Sequence, residues 1–445
     1  MEKRESWGSN LGFILSSIGG ALGLGAIWKF PYTVGANGGA AFLIIFLIAL
    51  FLIATPILIL EYAIGRKTKL SYISALKELF PKKSYYMLGY VGLLVITIVL
   101  SFYLGVSGWS LAYLYKSLTS SYSNLSPQEI TKSFSTFLNS PLELIFWQFI
   151  MTFVTCIIVI KGIRNGIEKI CTILLPFLFI MIIGLAIKSS LLPGAEKGLE
   201  FYLKPDFSLI NFNSIINAVG LAFFTLGVGS GNLVVYGSYL NKNKTITHGT
   251  IAVVFGDILA AILMGLIIFP SIFAYNIEPT AGPPLVFIAL PIIFSKMDYG
   301  MIIGSIFYLL LFFACLTSTI CILEAIVSYF VDELKWKRKT TVFFCSIVIF
   351  IIGVFQMLSF GPLSDFLIFD KTIFEFSDYL VTNILLPGSG LLMVLIFGWK
   401  TNTDDMIAEI NDGSGIKINN YYKITIKYFS PIFLLLVYLQ LLGLF

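Results

Sequence analysis

Ile18-Gly19-Gly20-Ala21-Leu22-Gly23-Leu24-Gly25 lies in the middle of one uncharged run, and Phe224-Thr225-Leu226-Gly227-Val228-Gly229-Ser230-Gly231 lies in the middle of another. Each glycine inside a helix costs about 1 kcal/mol relative to alanine. Four glycines in the first octet and three in the second therefore predict helices that unwind midway. Close packing of small residues between helices is the simpler explanation for one such segment. Two segments, at corresponding places in the two halves of the chain, favour unwinding. Inside a bilayer, unwound backbone survives only where protein or a water-filled cavity satisfies its polar groups.

Composition sets the solvent around these segments. The chain has 445 residues, of which 58% are hydrophobic and only 12% charged, with 41 phenylalanines and a single histidine. A soluble domain carries roughly 25% charged residues. A soluble enzyme, a nucleic-acid-binding domain and a disordered scaffold are thereby excluded. The net charge of +5 reflects loop bias and points to no polyanionic partner. Cys156, Cys171, Cys315, Cys321 and Cys345 all fall in apolar stretches, which argues against a disulfide framework or a metal cluster. The charged start Met1-Glu2-Lys3-Arg4 runs into a glycine-rich segment without a small-residue cleavage site, so no signal peptide is expected.

A helix needs roughly 20 apolar residues to cross a bilayer. The uncharged runs, split at turn signals such as 31–39, predict eleven spans: 11–34, 39–65, 86–116, 143–160, 166–188, 212–240, 246–274, 299–330, 340–359, 375–399 and 424–445. No ten-residue alternation of polar and apolar residues supports a β-barrel. With the N-terminus inside, 21 lysines and arginines fall in inner segments and 7 in outer ones. That bias predicts N-in, C-out topology in a plasma (inner) membrane.

Each glycine-rich break opens a block of five spans, and an odd count gives the two blocks opposite orientations. This is the arithmetic of a 5+5 inverted repeat: 1–190 as the first repeat, 191–399 as the second, and 400–445 as a loop with one extra C-terminal helix. Paired broken helices place a substrate and ion site at the midplane, where half-helix N-termini favour anions and freed carbonyls favour cations. A small zwitterion with a cation fits that description.

Several motifs resemble those of the neurotransmitter:sodium symporter family, whose bacterial members carry amino acids on the leucine-transporter fold. Gly23-Leu24-Gly25-Ala26-Ile27-Trp28-Lys29-Phe30-Pro31-Tyr32 is similar to the family's span 1 signature. Asn37-Gly38-Gly39-Ala40-Ala41-Phe42-Leu43 and Pro56-Ile57-Leu58-Ile59-Leu60-Glu61-Tyr62-Ala63-Ile64-Gly65-Arg66 are similar to its span 2. Lys161-Gly162-Ile163 and Gly166-Ile167-Glu168-Lys169 follow between spans 4 and 5, while Ala222-Phe223-Phe224-Thr225-Leu226 and Ala314-Cys315-Leu316-Thr317-Ser318 match spans 6 and 8. The resemblance runs from Arg4 to about Trp399. Eleven spans, against twelve in animal members, is usual among the bacterial ones.

Ala314, Thr317 and Ser318 share one helix face by their i, i+3, i+4 spacing. With carbonyls of Gly19 and Leu22 they make an all-oxygen set suited to a hard cation, which the resemblance identifies with the family's second sodium site. Without it, such hydroxyls more often bond back to the carbonyl one turn earlier. For the first sodium site the resemblance implies Ala21, Thr225 and Asp257, but Ala26 stands where an Asn is usual and removes one oxygen. An acid inside a span is a functional-site candidate; Asp257 either replaces the lost amide at a cation or carries a proton. Ala261, one turn on, is neither the Ser of chloride-dependent members nor the Glu of many chloride-independent ones. With Asp257 supplying negative charge, the expectation is sodium, one or two ions, without chloride and without an organic cofactor.

Tyr103 matches the residue whose hydroxyl holds the substrate carboxylate, and Phe224 the aromatic lid. Gly23 stands where monoamine carriers place an Asp, leaving room for a carboxylate on the substrate. The resemblance therefore implies an amino acid, bound by the backbone of Gly20, Ala21, Gly23, Leu24 and Gly25. Val99, Thr225, Gly227, Ser230, Ser318, Cys321 and Ile322 complete an outline that suits Phe, Tyr, Trp, Met or Leu. Lys29 and Asp378 are expected as an outer gate, with a lysine where the family usually has an arginine. Arg4 and Asp332 are expected as the inner gate, with Trp7 and Tyr239 packed beside it. Glu61 is expected to bond to unwound span 6 backbone, and Glu324 to be either a protonated acid or an acceptor facing the pocket. His248 is expected in a solvated turn, and the sequons at Asn124 and Asn243 are short enough to be chance.

The function these readings give is sodium-coupled symport of an amino acid by alternating access, with the lipid bilayer as surroundings and neither nucleic acid nor an obligate protein partner. A membrane sensor that binds an amino acid without moving it is the alternative. An enzyme is disfavoured by the single histidine and the lack of any nucleophile–base pair. A channel is disfavoured by the lack of a filter motif.

Overall fold

The computed structural model describes residues 5–122, 125–242, 245–277, 285–413 and 416–441. Arg4, Asn124 and Asn243 lie outside the described residues. Among those described, nine helices are long and apolar enough to cross a membrane, ten when the bent pair Asn10–Ala21 and Gly25–Ala36 is taken as one. Two shorter helices, Phe212–Leu226 and Asn232–Ser238, occupy the segment expected as span 6, so the architecture is compatible with eleven spans. The others are Ala40–Thr68, Lys83–Leu118, Pro141–Ile160, Ile163–Ser190, Ile246–Ala274, Gly300–Glu333, Arg338–Leu358, Ile373–Trp399 and Tyr422–Gln440, close to the predicted bounds. Among the described residues the sole β pairing is an isolated bridge from Ile368 to Lys371.

Both expected breaks are present. In span 1 the first helix ends at Leu22, the two pieces meet at 45°, and Gly25–Lys29 forms a wide π turn before the helix resumes. In span 6 the break covers 227–231, where Gly227, Gly229 and Gly231 have φ of 65°, 89° and 74°. A left-handed backbone of this kind suits glycine because it has no Cβ to clash. Three such residues in five make a regular helix impossible here.

Span 8 sits at the centre, with 78% of its most apolar window buried, while the corresponding figure for span 5 is 33%. Spans 4, 5 and 9 instead turn phenylalanine and isoleucine outward at helical spacing: Phe146, Phe149 and Phe153; Phe177 and Ile180; Phe343, Ile347 and Ile351. An apolar stripe on the outside, facing away from a packed core, is the pattern of a helix bordering lipid. Spans 1, 6 and 8 are thereby held inside the ring.

Candidate functional site

The break in span 1 faces span 3. Leu24 donates its backbone N–H to the Tyr103 hydroxyl, which is buried. Gly23 has no room for a side chain: a Cβ there would run into Tyr103 Oη and Ser318 Oγ. Freed amide and phenol thus meet at one point, with glycine keeping it clear.

Span 8 meets the same break as well. Ser318 Oγ donates to the carbonyls of Gly19 at 2.9 Å and Gly20 at 3.3 Å. Thr317 bonds back to Ala314 O at 2.9 Å, while its Cβ packs where Gly19 lacks one. Of the two hydroxyls, one follows the usual helix habit and the other reaches across to the unwound carbonyls. Of the residues expected for the second cation, Gly19, Ala314, Thr317 and Ser318 are therefore adjacent.

Asp257 is fully buried, and among the described residues neither carboxylate oxygen has a hydrogen-bond partner. The polar side chain facing it is Thr225, whose hydroxyl leans on Ala222 O at 3.4 Å. An unpaired buried carboxylate is costly, so such groups neutralise or find a cation. Its oxygens suit a hard cation such as sodium.

The break in span 6 is held differently. Glu61, fully buried in span 2, accepts from the N–H groups of Gly229 at 2.7 Å, Gly231 at 3.3 Å and Leu233 at 3.1 Å. Ser389 donates to Gly229 O.

Between the breaks lies a cavity of ≈ 40 Å³. Of the residues named from the sequence, its walls include Gly20, Ala21, Gly23, Gly25, Val99, Tyr103, Phe224, Gly227, Ser230, Ser318 and Ile322, together with Val95, Ile96, Asn232 and Leu386. Three expected residues are not in the wall. Leu24 contributes its N–H while its side chain is buried in packing; Thr225 turns toward Asp257; and Cys321 lies behind Gly20, its sulfur 2.6 Å from where a Cβ there would sit.

Both ends are closed. Lys29 Nζ binds Asp378 Oδ1 at 2.6 Å and Oδ2 at 2.9 Å, donates to Thr382 Oγ1 at 3.0 Å, and lies 4.6 Å from the centre of the Phe224 ring. A lysine is only a point charge, yet here one ammonium ties together Asp378, Thr382 and the Phe224 ring. At the other end Trp7 is buried against Tyr236, Phe13 and Tyr239, and donates Nε1–H to Tyr236 O at 3.1 Å. Asp332 accepts from Ser71 N at 2.8 Å.

Glu324 is not the pocket-facing acceptor that was one of its two expected roles. It is fully buried and paired with Arg338, whose Nη1 is 3.1 Å from Oε1, and it accepts from the Tyr239 hydroxyl at 2.7 Å. The guanidinium also donates to Val159 O at 2.8 Å. The acid is therefore satisfied below the cavity and does not face it. His248 is exposed at a helix start with Nδ1 2.9 Å from Thr245 Oγ1, as a solvated turn requires.

Two further positions escaped the sequence reading. Glu168 accepts from Gly8 N at 2.7 Å and Ser9 N at 3.0 Å, fastening the start of span 1. Asn232 enters the cavity wall. The motif around Glu168 was a signal, although its partner is 159 residues away; the glycine preceding Asn232 signalled only the break.

Three comparisons with known proteins agree with this geometry. The family model described as "Sodium:neurotransmitter symporter family" matches residues 4–136 and 121–443. A sodium-dependent transporter of Bacillus subtilis is 34% identical over 99% of this chain and 98% of its own length. One from Haemophilus influenzae is 35% identical over 99% and 98%. The crystal structure of MhsT in complex with L-phenylalanine superposes with a TM-score of 0.93 at 36% identity, covering 98% of this chain and all of that one. This chain, with its two broken helices around a shared cavity, belongs to the sodium:neurotransmitter symporter family.

Proposed function

We propose that this protein is a sodium-coupled symporter that imports an amino acid, with a hydrophobic or aromatic side chain, across the cytoplasmic membrane. The observation that carries the reading is the meeting of the Leu24 amide, the Tyr103 hydroxyl and a bare Gly23. That arrangement supplies donors for a carboxylate at a point where, among the described residues, no protein acid stands. Sodium is cargo here. Gly19, Leu22, Ala314, Thr317 and Ser318 would hold one ion; Ala21, Thr225 and Asp257 would hold another, beside the substrate carboxylate. With Ala26 in place of an amide, the negative charge at the second of these places comes from Asp257, which also makes chloride unnecessary.

The cavity is far smaller than an ordinary ligand pocket of about 300 Å³ or more. Binding must therefore open it: the substrate takes over the bond between Leu24 and Tyr103, and its side chain pushes Phe224 toward Lys29. Substrate and sodium, sharing one site, raise each other's affinity by the same factor. The cation bias of the loops supports an N-terminus inside, which puts the Lys29–Asp378 gate on the outer face. Inside, Arg4 would join Asp332 to latch the opposite end.

Purified protein in liposomes tests this. Amino-acid uptake that follows an imposed inward sodium gradient, and persists without chloride, is the expected result. Binding without uptake would indicate a sensor, and uptake indifferent to sodium would overturn the coupling.

A further inference from the structure

Asn232 is the first residue of the second helix of span 6, directly after the left-handed Gly231. It is buried and forms part of the cavity wall. Its carboxamide offers two donors and an acceptor with two lone pairs. Among the described residues, one thiol serves them all: Nδ2 lies 3.5 Å from Cys321 Sγ, and that sulfur lies 4.0 Å from Oδ1. A thiol is a weak partner in both directions, so this amide is the under-used polar group of the cavity.

Gly227 leaves its face open. A Cβ at Gly227 would find one atom within 4 Å, Asn232 Nδ2 at 3.9 Å. The remaining side of the cavity is apolar, formed by Val95, Ile96, Val99, Ile322, Leu386 and the Phe224 ring. A ligand side chain that fits these surroundings is apolar along its length and carries at its end a group that both donates and accepts.

We propose that Asn232 reads the end of the substrate side chain and that the preferred substrate class is a large apolar side chain ended by a hydroxyl, with tyrosine preferred over phenylalanine. Once the cavity has opened, a phenol donates its proton to Oδ1 and accepts from Nδ2 while its ring lies against the same apolar walls that would hold phenylalanine. Phenylalanine fills the same walls and leaves the amide to its thiol. A site built to bond a hydroxyl rejects the analogue that lacks it far more strongly than an apolar pocket rejects a missing methylene. The proposal rests on the amino-acid transport reading above and adds the residue that sets its selectivity.

The test is the ratio of tyrosine to phenylalanine affinity for the purified full-length protein in sodium, by calorimetry or by competition against labelled tyrosine. Wild type is expected to bind tyrosine at least tenfold more tightly. Asn232→Ala is expected to bring the ratio within about twofold, whereas Cys321→Ala, which removes the thiol and keeps the amide, retains the preference. Phenylalanine binding as well as tyrosine in wild type overturns the proposal, and so does a tyrosine preference that survives Asn232→Ala. Should Asn232→Ala fail to fold, the wild-type ratio and Cys321→Ala still decide it. Failure of every amino acid to bind with sodium present overturns the transport reading itself, an outcome distinct from binding in which phenylalanine wins.

Discussion

The two broken helices solve one problem in two ways. In span 6 the exposed amides are gathered by Glu61, an acid of the protein itself, which bonds three of them. In span 1 the Leu24 amide meets a neutral phenol, and the carbonyls of Gly19 and Gly20 meet a serine hydroxyl. A carboxylate bonds amides roughly twice as strongly as a neutral acceptor does. The span 6 break is thus held by an acid of the protein itself, and the span 1 break by neutral hydroxyls. On the proposed function, span 6 serves as the frame and span 1 as the receptor whose bonds a ligand and a cation would outbid.

Substitutions can break that contrast. Glu61→Ala should have the largest effect, because it strands three buried amides at about 1–3 kcal/mol each; a fall in melting temperature of more than 10 °C in detergent, with loss of binding, is expected. Gly23→Ala should lower melting less than Glu61→Ala does but reduce uptake at least a hundredfold, because its methyl group displaces Tyr103 and Ser318 from the place where they converge. Asp257→Asn keeps an oxygen and loses the charge, so half-saturation by sodium should rise about tenfold, equivalent to about 1.4 kcal/mol. Tyr103→Phe removes one of several carboxylate partners. Substrate affinity should fall five- to tenfold with melting within 2 °C, the reverse of the Glu61 pattern, and equal losses of stability in both variants would erase the distinction. Lys29→Arg should be mildest, changing uptake less than threefold, since either cation reaches Asp378.

The breaks were legible because glycine is costly in a helix, and that cost shows in composition at 18–25 and 227–231 without any partner being known. The pairing of Lys29 with Asp378 was legible only through resemblance, since 349 residues separate them. Arg338 illustrates what stayed hidden. It counts in the sequence as one more inner-loop cation, yet it leans into the protein to meet Glu324, and nothing local marks which loop cation does so. Asn232 was hidden for a related reason. Adjacent to a glycine run, it reads as a helix-start residue, and its exposure to the cavity arises only when spans 3, 6 and 8 are packed together.

Closure at Lys29 and at Trp7 in the same conformation has a bearing on energy economy. On the proposed function, a passage shut at both ends would offer no continuous column of water, so ions would not slip through uncoupled while cargo is held. Throughput would then be set by how fast the two ends alternate, and the sodium gradient would be spent in counted portions rather than dissipated as current.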